Sequence, residues 1–301
     1  MLAKIHREGF TWKDSLFIHG LITVALLILG GIPQWALSTV LPVWLSGMDA
    51  DFVKELSFYA PFIANWVVII LFCLIVKSNR PIASSFWRGL KGNTVPKYLL
   101  GLLFGFGYNA LCIALACAHH DLQINWPGIA ASAIVPLIIL AVAVMFQCGA
   151  EELLYRGYYF QRLRKGYRHP AFAFLINPII FLLAHVFNPG VTPLALLNVY
   201  LIGVVMSCML YYFDSFWLAV GFHSAWNFSQ NVVFGLPNSG IMLHYSIGKM
   251  DTASARDSFF YSVNFGVEGT GFVTVMSIAL IVLFALLIWK SKKQPTDIWA
   301  K

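Results

Sequence analysis

The sequence predicts an all-α integral membrane protein, a bundle of about eight transmembrane helices. Three observations carry this. Of its 301 residues, 59% are hydrophobic and only 11% charged, whereas soluble domains carry roughly 25% charged residues. Apolar runs recur almost end to end with no long polar stretch between them, which argues for one polytopic membrane domain over 1–301 and no separate soluble module. Lysine and arginine fall in short clusters between those runs, the pattern that orients a membrane protein. A water-soluble globule is excluded. The net charge of +7 is therefore read as membrane orientation, and no nucleic-acid partner is expected.

Runs of the roughly 20 residues needed to cross the hydrocarbon core lie near 15–36, 59–76, 98–118, 128–150, 170–187, 194–212, 215–234 and 271–289. The first follows Lys4, Arg7 and Lys13 and lacks a short apolar stretch ending in a small-residue cleavage site, so it reads as a retained anchor. With the N-terminus cytoplasmic, eight crossings place the loops 77–97 and 156–169, the turn at Asp214 and the C-terminus on one side. That side then holds 17 of the 20 lysines and arginines, all but Lys54, Lys249 and Arg256. This bias predicts cytoplasmic N- and C-termini. The segment Leu236–Glu268, the longest polar stretch, reads as a connector. The five cysteines, Cys73, Cys112, Cys117, Cys148 and Cys208, sit singly in apolar runs, suggesting neither disulfides nor a zinc knuckle.

Charged groups at mid-bilayer cost several kcal/mol, so they are read as paired or functional. The segment GAEELLYRGYYFQRLRKG places Glu151, Glu152 and Arg156 after more than twenty nearly uncharged residues. Glu152 and Arg156 are spaced i, i+4 with the acid nearer the N-terminus, the favourable order for an intrahelical ion pair. Glu151 points roughly 100° away around the helix and is left available as a general base. A helix-end salt bridge with Glu151 solvated is the bland alternative.

His185 lies in NPIIFLLAHVFNPG. The hairpin joining it to Glu151 has its midpoint at residue 168, 17 positions from each. At 1.5 Å per residue both sit roughly 20–25 Å from that turn, so a carboxylate and an imidazole can face each other across antiparallel helices. Phe181 shares the face of His185 by i, i+4 spacing. In GFHSAWNFSQN, His223 and Asn227 are again i, i+4 and make a pair of donors suited to an oxyanion. Polar glue between helices is the alternative for these residues, as for His19 in the first span. Asn198 and Gly203 are candidates for close helix approach, and His119 and His120 read as solvated in an outer loop.

Taken together, Glu151-Glu152-x-x-x-Arg156, Phe181-x-x-x-His185 and His223-x-x-x-Asn227, in this order on separate apolar segments, resemble the CPBP family of intramembrane glutamic proteases. That family includes the CAAX-processing endopeptidases of the Ras-converting type and bacteriocin-processing enzymes. The resemblance covers roughly Gly149 to Phe228, about a quarter of the chain. It implies helices around a conical, membrane-embedded cavity, with Glu151 and His185 activating water, His223 and Asn227 binding the oxyanion, and Glu152 with Arg156 supporting the site. It further implies a peptide or membrane-protein substrate, no cofactor or metal, and a multi-pass bacterial plasma-membrane location in which a prenylated substrate is not expected. The residues by themselves leave open a zinc site built from the same Glu and His side chains, and a non-enzymatic transporter, immunity or scaffolding role.

Overall fold

The computed structural model describes residues 5–300. In chain order its helices are α1 (Leu16–Trp44), α2 (Ala50–Tyr59), α3 (Ile63–Ile75), α4 (Arg80–Ser85), α5 (Val95–Ala118), α6 (Ile134–Glu152), α7 (Phe160–Gly166), α8 (Ala171–Leu183), α9 (Pro193–Phe213), α10 (Phe216–Phe228) and α11 (Gly271–Ser291). Two short strands, β1 (Gln123–Asn125) and β2 (Lys249–Asp251), pair antiparallel. Six helical stretches among the described residues are long and apolar enough to cross a membrane: Leu16–Trp44, Ala50–Ile75, Val95–Ala118, Ala131–Gly166, Pro193–Phe213 and Gly271–Ser291. The other two predicted segments are helical but shorter, Ala171–Leu183 and Phe216–Phe228, the latter continued by a π-helical turn over Ser229–Val233. The protein is an all-α membrane bundle.

Polar side chains fix where these helices begin. Ser15, Thr192, Ser215 and Thr270 each accept a hydrogen bond from a backbone N–H in the first turn of α1, α9, α10 and α11, satisfying donors that a helix start leaves unpaired. At the other end of α9, Asp214 takes a left-handed conformation and turns the chain directly into α10.

Two expectations about boundaries need correction. The segment 156–169 is not a loop: α6 runs through a π-helical stretch, Leu153–Tyr159, into α7 and ends only at Gly166. Three of its four arginines stay inside the bundle, Arg156, Arg162 and Arg164 all being buried, and only Arg168 is exposed. Arg162 donates to Ser78 and Asn79, and Arg164 to Gln161 and Thr296, and these partners let helix continue where charge suggested an exit. The first span is also longer than predicted, continuing past Pro33 to Trp44.

Small residues decide which helices touch. On α5, Gly101 and Gly105 lie one turn apart against the carbonyls of Leu218 and Phe222, and a Cβ at either would overlap them. On α10, Gly221 is similarly closed in by the Tyr98 carbonyl. Close backbone approach of this kind is how helices associate in lipid, where no hydrophobic force drives them together. It seats α10 deep in the bundle, with nearly all of its residues buried. His19 acts as the expected polar glue, its Nδ1 lying 2.9 Å from the Tyr158 hydroxyl of the π-helical stretch.

Candidate active site

The end of α6 supplies three polar groups. Gln147 and Glu151 are one turn apart, and the Gln147 amide donates to Glu151 Oε1 at 2.5 Å. Glu152, one residue further round, is completely buried, as is Arg156. Arg156 Nη1 donates to Glu152 Oε1 at 3.0 Å and Nη2 to the Gly203 carbonyl at 3.2 Å, while the guanidinium lies 4.6 Å from the centre of the Phe181 ring. The ion pair read from i, i+4 spacing is present. Gly203 has the role its size suggested, since a Cβ there would meet Pro178 at 2.7 Å and Arg156 at 3.1 Å.

Glu152 is not reserved for Arg156 alone. His223 Nδ1, from α10, lies 3.1 Å from the same Glu152 oxygen. Because that carboxylate already accepts from a guanidinium, it acts as the acceptor, and the imidazole carries its proton on Nδ1. His223 Nε2 is then directed toward Glu151, 3.8 Å from Oε2. Asn227, one turn along α10, donates from Nδ2 to Gln147 Oε1 at 3.1 Å. The i, i+4 pair on α10 therefore meets the i, i+4 pair on α6.

His185 does not lie within a helix as expected. α8 ends at Leu183, and His185 occupies the turn that follows. Its Nδ1 is 2.8 Å from the carbonyl of Phe181, and the two rings are 4.6 Å apart. A carbonyl can only accept, so Nδ1 bears the hydrogen, and in the neutral form of the ring Nε2 is the unprotonated nitrogen. Among the described residues no hydrogen bond joins His185 to Glu151; the side chain bonded to Glu151 is Gln147.

Glu151, His185, His223 and Asn227 nevertheless line one cavity of about 380 Å³. Its apolar wall includes Tyr155, Phe181, Phe222 and Trp226, and α1 contributes Gln34. The segment Leu236–Glu268 is more than a connector, because Asn238, Ser239, Ile241 and Glu268 complete the wall. Glu268 binds that segment to α10: Trp226 Nε1 donates to Oε1 at 2.8 Å, and the Ser239 backbone N–H and hydroxyl donate to Oε2 at 2.5 and 3.0 Å. Burial pushes the Glu268 carboxyl above its ordinary value, against the pull of those donors. Asn198 holds the backbone around it, donating to the carbonyls of Glu268 and Thr270. Among the described residues no group of three or more His, Cys, Asp and Glu side chains is placed to hold a metal ion.

Sequence reading missed Gln147 and Glu268. Gln147 carried a signal, a lone amide four residues before Glu151 in an apolar run. Glu268 carried none, since a glutamate in a polar outer segment is unremarkable until the segment folds back.

Residues 132–229 match the family model described as type II CAAX prenyl endopeptidase, Rce1-like. Over this stretch the chain is similar to the Rce1-like endopeptidases. No curated protein and no solved structure matches the chain. The matched stretch is about a third of the sequence and begins and ends around the elements just described, from the start of α6 to the end of α10. It bears out the family resemblance carried by the three motifs. The match supports endopeptidase activity in a membrane.

Proposed function

We propose that the protein is an intramembrane endopeptidase in which Glu151 and His185 activate water while His223 and Asn227 bind the oxyanion. One observation carries this reading: four polar groups from three separate elements converge on one cavity inside an apolar bundle. Glu151 Oε1 is engaged by Gln147, leaving Oε2 to take a proton from water as its oxygen attacks the scissile carbonyl carbon. His185 Nε2, an acceptor in the neutral ring, orients the same water through its second hydrogen.

The carbonyl oxygen becomes an oxyanion as the new C–O bond forms. The second Nδ2 hydrogen of Asn227 and Nε2–H of His223 in its imidazolium form are the donors, and such donors in a water-poor site contribute about 3–4 kcal/mol each. Glu151 then delivers its proton to the departing amine, the C–N bond breaks, and a carboxylic acid and an amine are released. Glu152, held by Arg156, accepts from Nδ1–H of His223 and so fixes the orientation in which the imidazolium presents Nε2–H to the cavity. The substrate is a peptide or membrane-protein segment reaching the cavity from the bilayer, unprenylated, in a bacterial plasma membrane.

Glu151→Gln keeps the shape and the contact to Gln147 but cannot take a proton. Proteomics of membrane peptides in matched wild-type and Glu151→Gln cells is expected to show cleavage products that vanish in the variant while its abundance stays normal. Removing a general base costs about 10²–10⁴-fold. Undiminished cleavage by Glu151→Gln would end the proposal.

A further inference from the structure

The geometry points to Gln147 as a positioning residue that aims both halves of the proposed chemistry, the base and the oxyanion donor, through a single amide. The inference rests on the roles proposed for Glu151 and Asn227. Gln147 sits one turn before Glu151 on the same face of α6, is 7% exposed and lines the cavity. The stretch of α6 before it, Ile134–Phe146, has no other side chain with an amide or charge. A leucine would pack there without the cost of burying an amide, which is offset only where its polar atoms find partners.

Those partners determine the orientation of the amide. The Glu151 carboxylate, 2.5 Å away, requires a donor and so faces Nε2. Asn227 Nδ2 at 3.1 Å and the Cys148 thiol at 3.0 Å are donors and face Oε1. A flipped amide would set oxygen against carboxylate and N–H against N–H. Two consequences follow for the reacting groups. Glu151 is held by Oε1, which turns Oε2 toward His223 and the cavity. Asn227 has one Nδ2 hydrogen committed to Gln147, which fixes the plane of its amide and directs the other hydrogen. Neither α6 nor α10 alone sets the distance between base and oxyanion donor; Gln147 spans it.

A purely structural amide would join α6 to α10, and its loss would lower stability without a selective effect on turnover. The test uses the full-length protein in liposomes with a pool of internally quenched hydrophobic peptides, from which one is chosen that the wild type cleaves. Gln147→Leu is expected to lower kcat about 10–100-fold with KM within about twofold, as misplacement of reacting groups by an ångström does. The double variant Gln147→Leu/Asn227→Ala is expected to lose less than the product of the two single losses, because the residues act on one another. Gln147→Glu guards against a folding defect: it keeps the volume and the acceptor for Asn227 but cannot, as a carboxylate, donate to Glu151, and its kcat is also expected to fall. If Glu151→Gln is inactive while both Gln147 variants keep kcat within twofold of wild type, the inference is overturned and the protease reading stands. If Glu151→Gln cleaves the peptide normally, that reading fails and takes the inference with it.

Discussion

Arg156 shows how much a single buried side chain organises here. It is fully buried, paired with Glu152, bonded to the Gly203 carbonyl and stacked over Phe181. Removing one partner of a buried ion pair typically costs about 3–5 kcal/mol, because the other charge is left uncompensated. Arg156→Met should therefore lower the thermal midpoint in detergent markedly, whereas Arg156→Met with Glu152→Gln should recover part of the loss, since no unpaired charge then remains. Equal midpoints for the single and double variants would show that the pair matters only through packing. The i, i+4 spacing made Glu152 and Arg156 legible as a pair in the sequence. That His223 shares the same oxygen was not legible, because the contact joins residues 71 positions apart and depends on where α10 is seated.

At the scale of elements, the site depends on a helix held by glycines and a segment held by a carboxylate. Gly101, Gly105 and Gly221 let α5 and α10 approach until backbone meets backbone, and this depth brings His223 and Asn227 to α6. The Glu268 carboxylate then ties Ser239 and its neighbours to Trp226, which lies between those two residues on α10. Burial raises the Glu268 pKa in the folded protein. The folded state thus binds the proton more tightly than the unfolded one, so the contribution of Glu268 to docking is complete below the ordinary carboxylate range and lost as pH rises through the raised value. Hydrogen exchange of residues 236–241 is expected to quicken, as pH rises from the ordinary carboxylate range through the raised value, more than intrinsic exchange does, and Glu268→Gln to remove that excess. An unchanged pH response in Glu268→Gln would assign the effect to another group. Composition had suggested a connector; only the fold places this segment over the cavity.

The molecule as a whole has two polar ends. At one, the Ile5 carbonyl accepts from Arg168 N–H, Arg7 pairs with Asp297, and Asp214 binds the backbone of Lys91 and Thr296. The N-terminus, the α7–α8 turn, the loop before α5, the α9–α10 turn and the C-terminal tail thus gather together, the grouping that the lysine and arginine bias predicted. At the other end β1 pairs with β2, and Arg256 binds Asp121. We propose that the first end is cytoplasmic. A reporter fused at Lys249 is then expected to report the opposite compartment from reporters at either terminus, and a shared compartment would overturn the topology.

The sequence by itself determined the membrane setting, the helical class and the residue types of the proposed site. Each of these rests on local physics: apolar content, run length, the spacing that puts two side chains on one helical face, and the cost of a charge in lipid. The tertiary structure decided what those residues touch. It ended α8 before His185, carried α6 onward to Gly166, shared Glu152 between Arg156 and His223, and gave Glu151 to Gln147. These outcomes depend on how closely helices approach and on which buried donor reaches which acceptor, and helical periodicity carries no information about distances between helices.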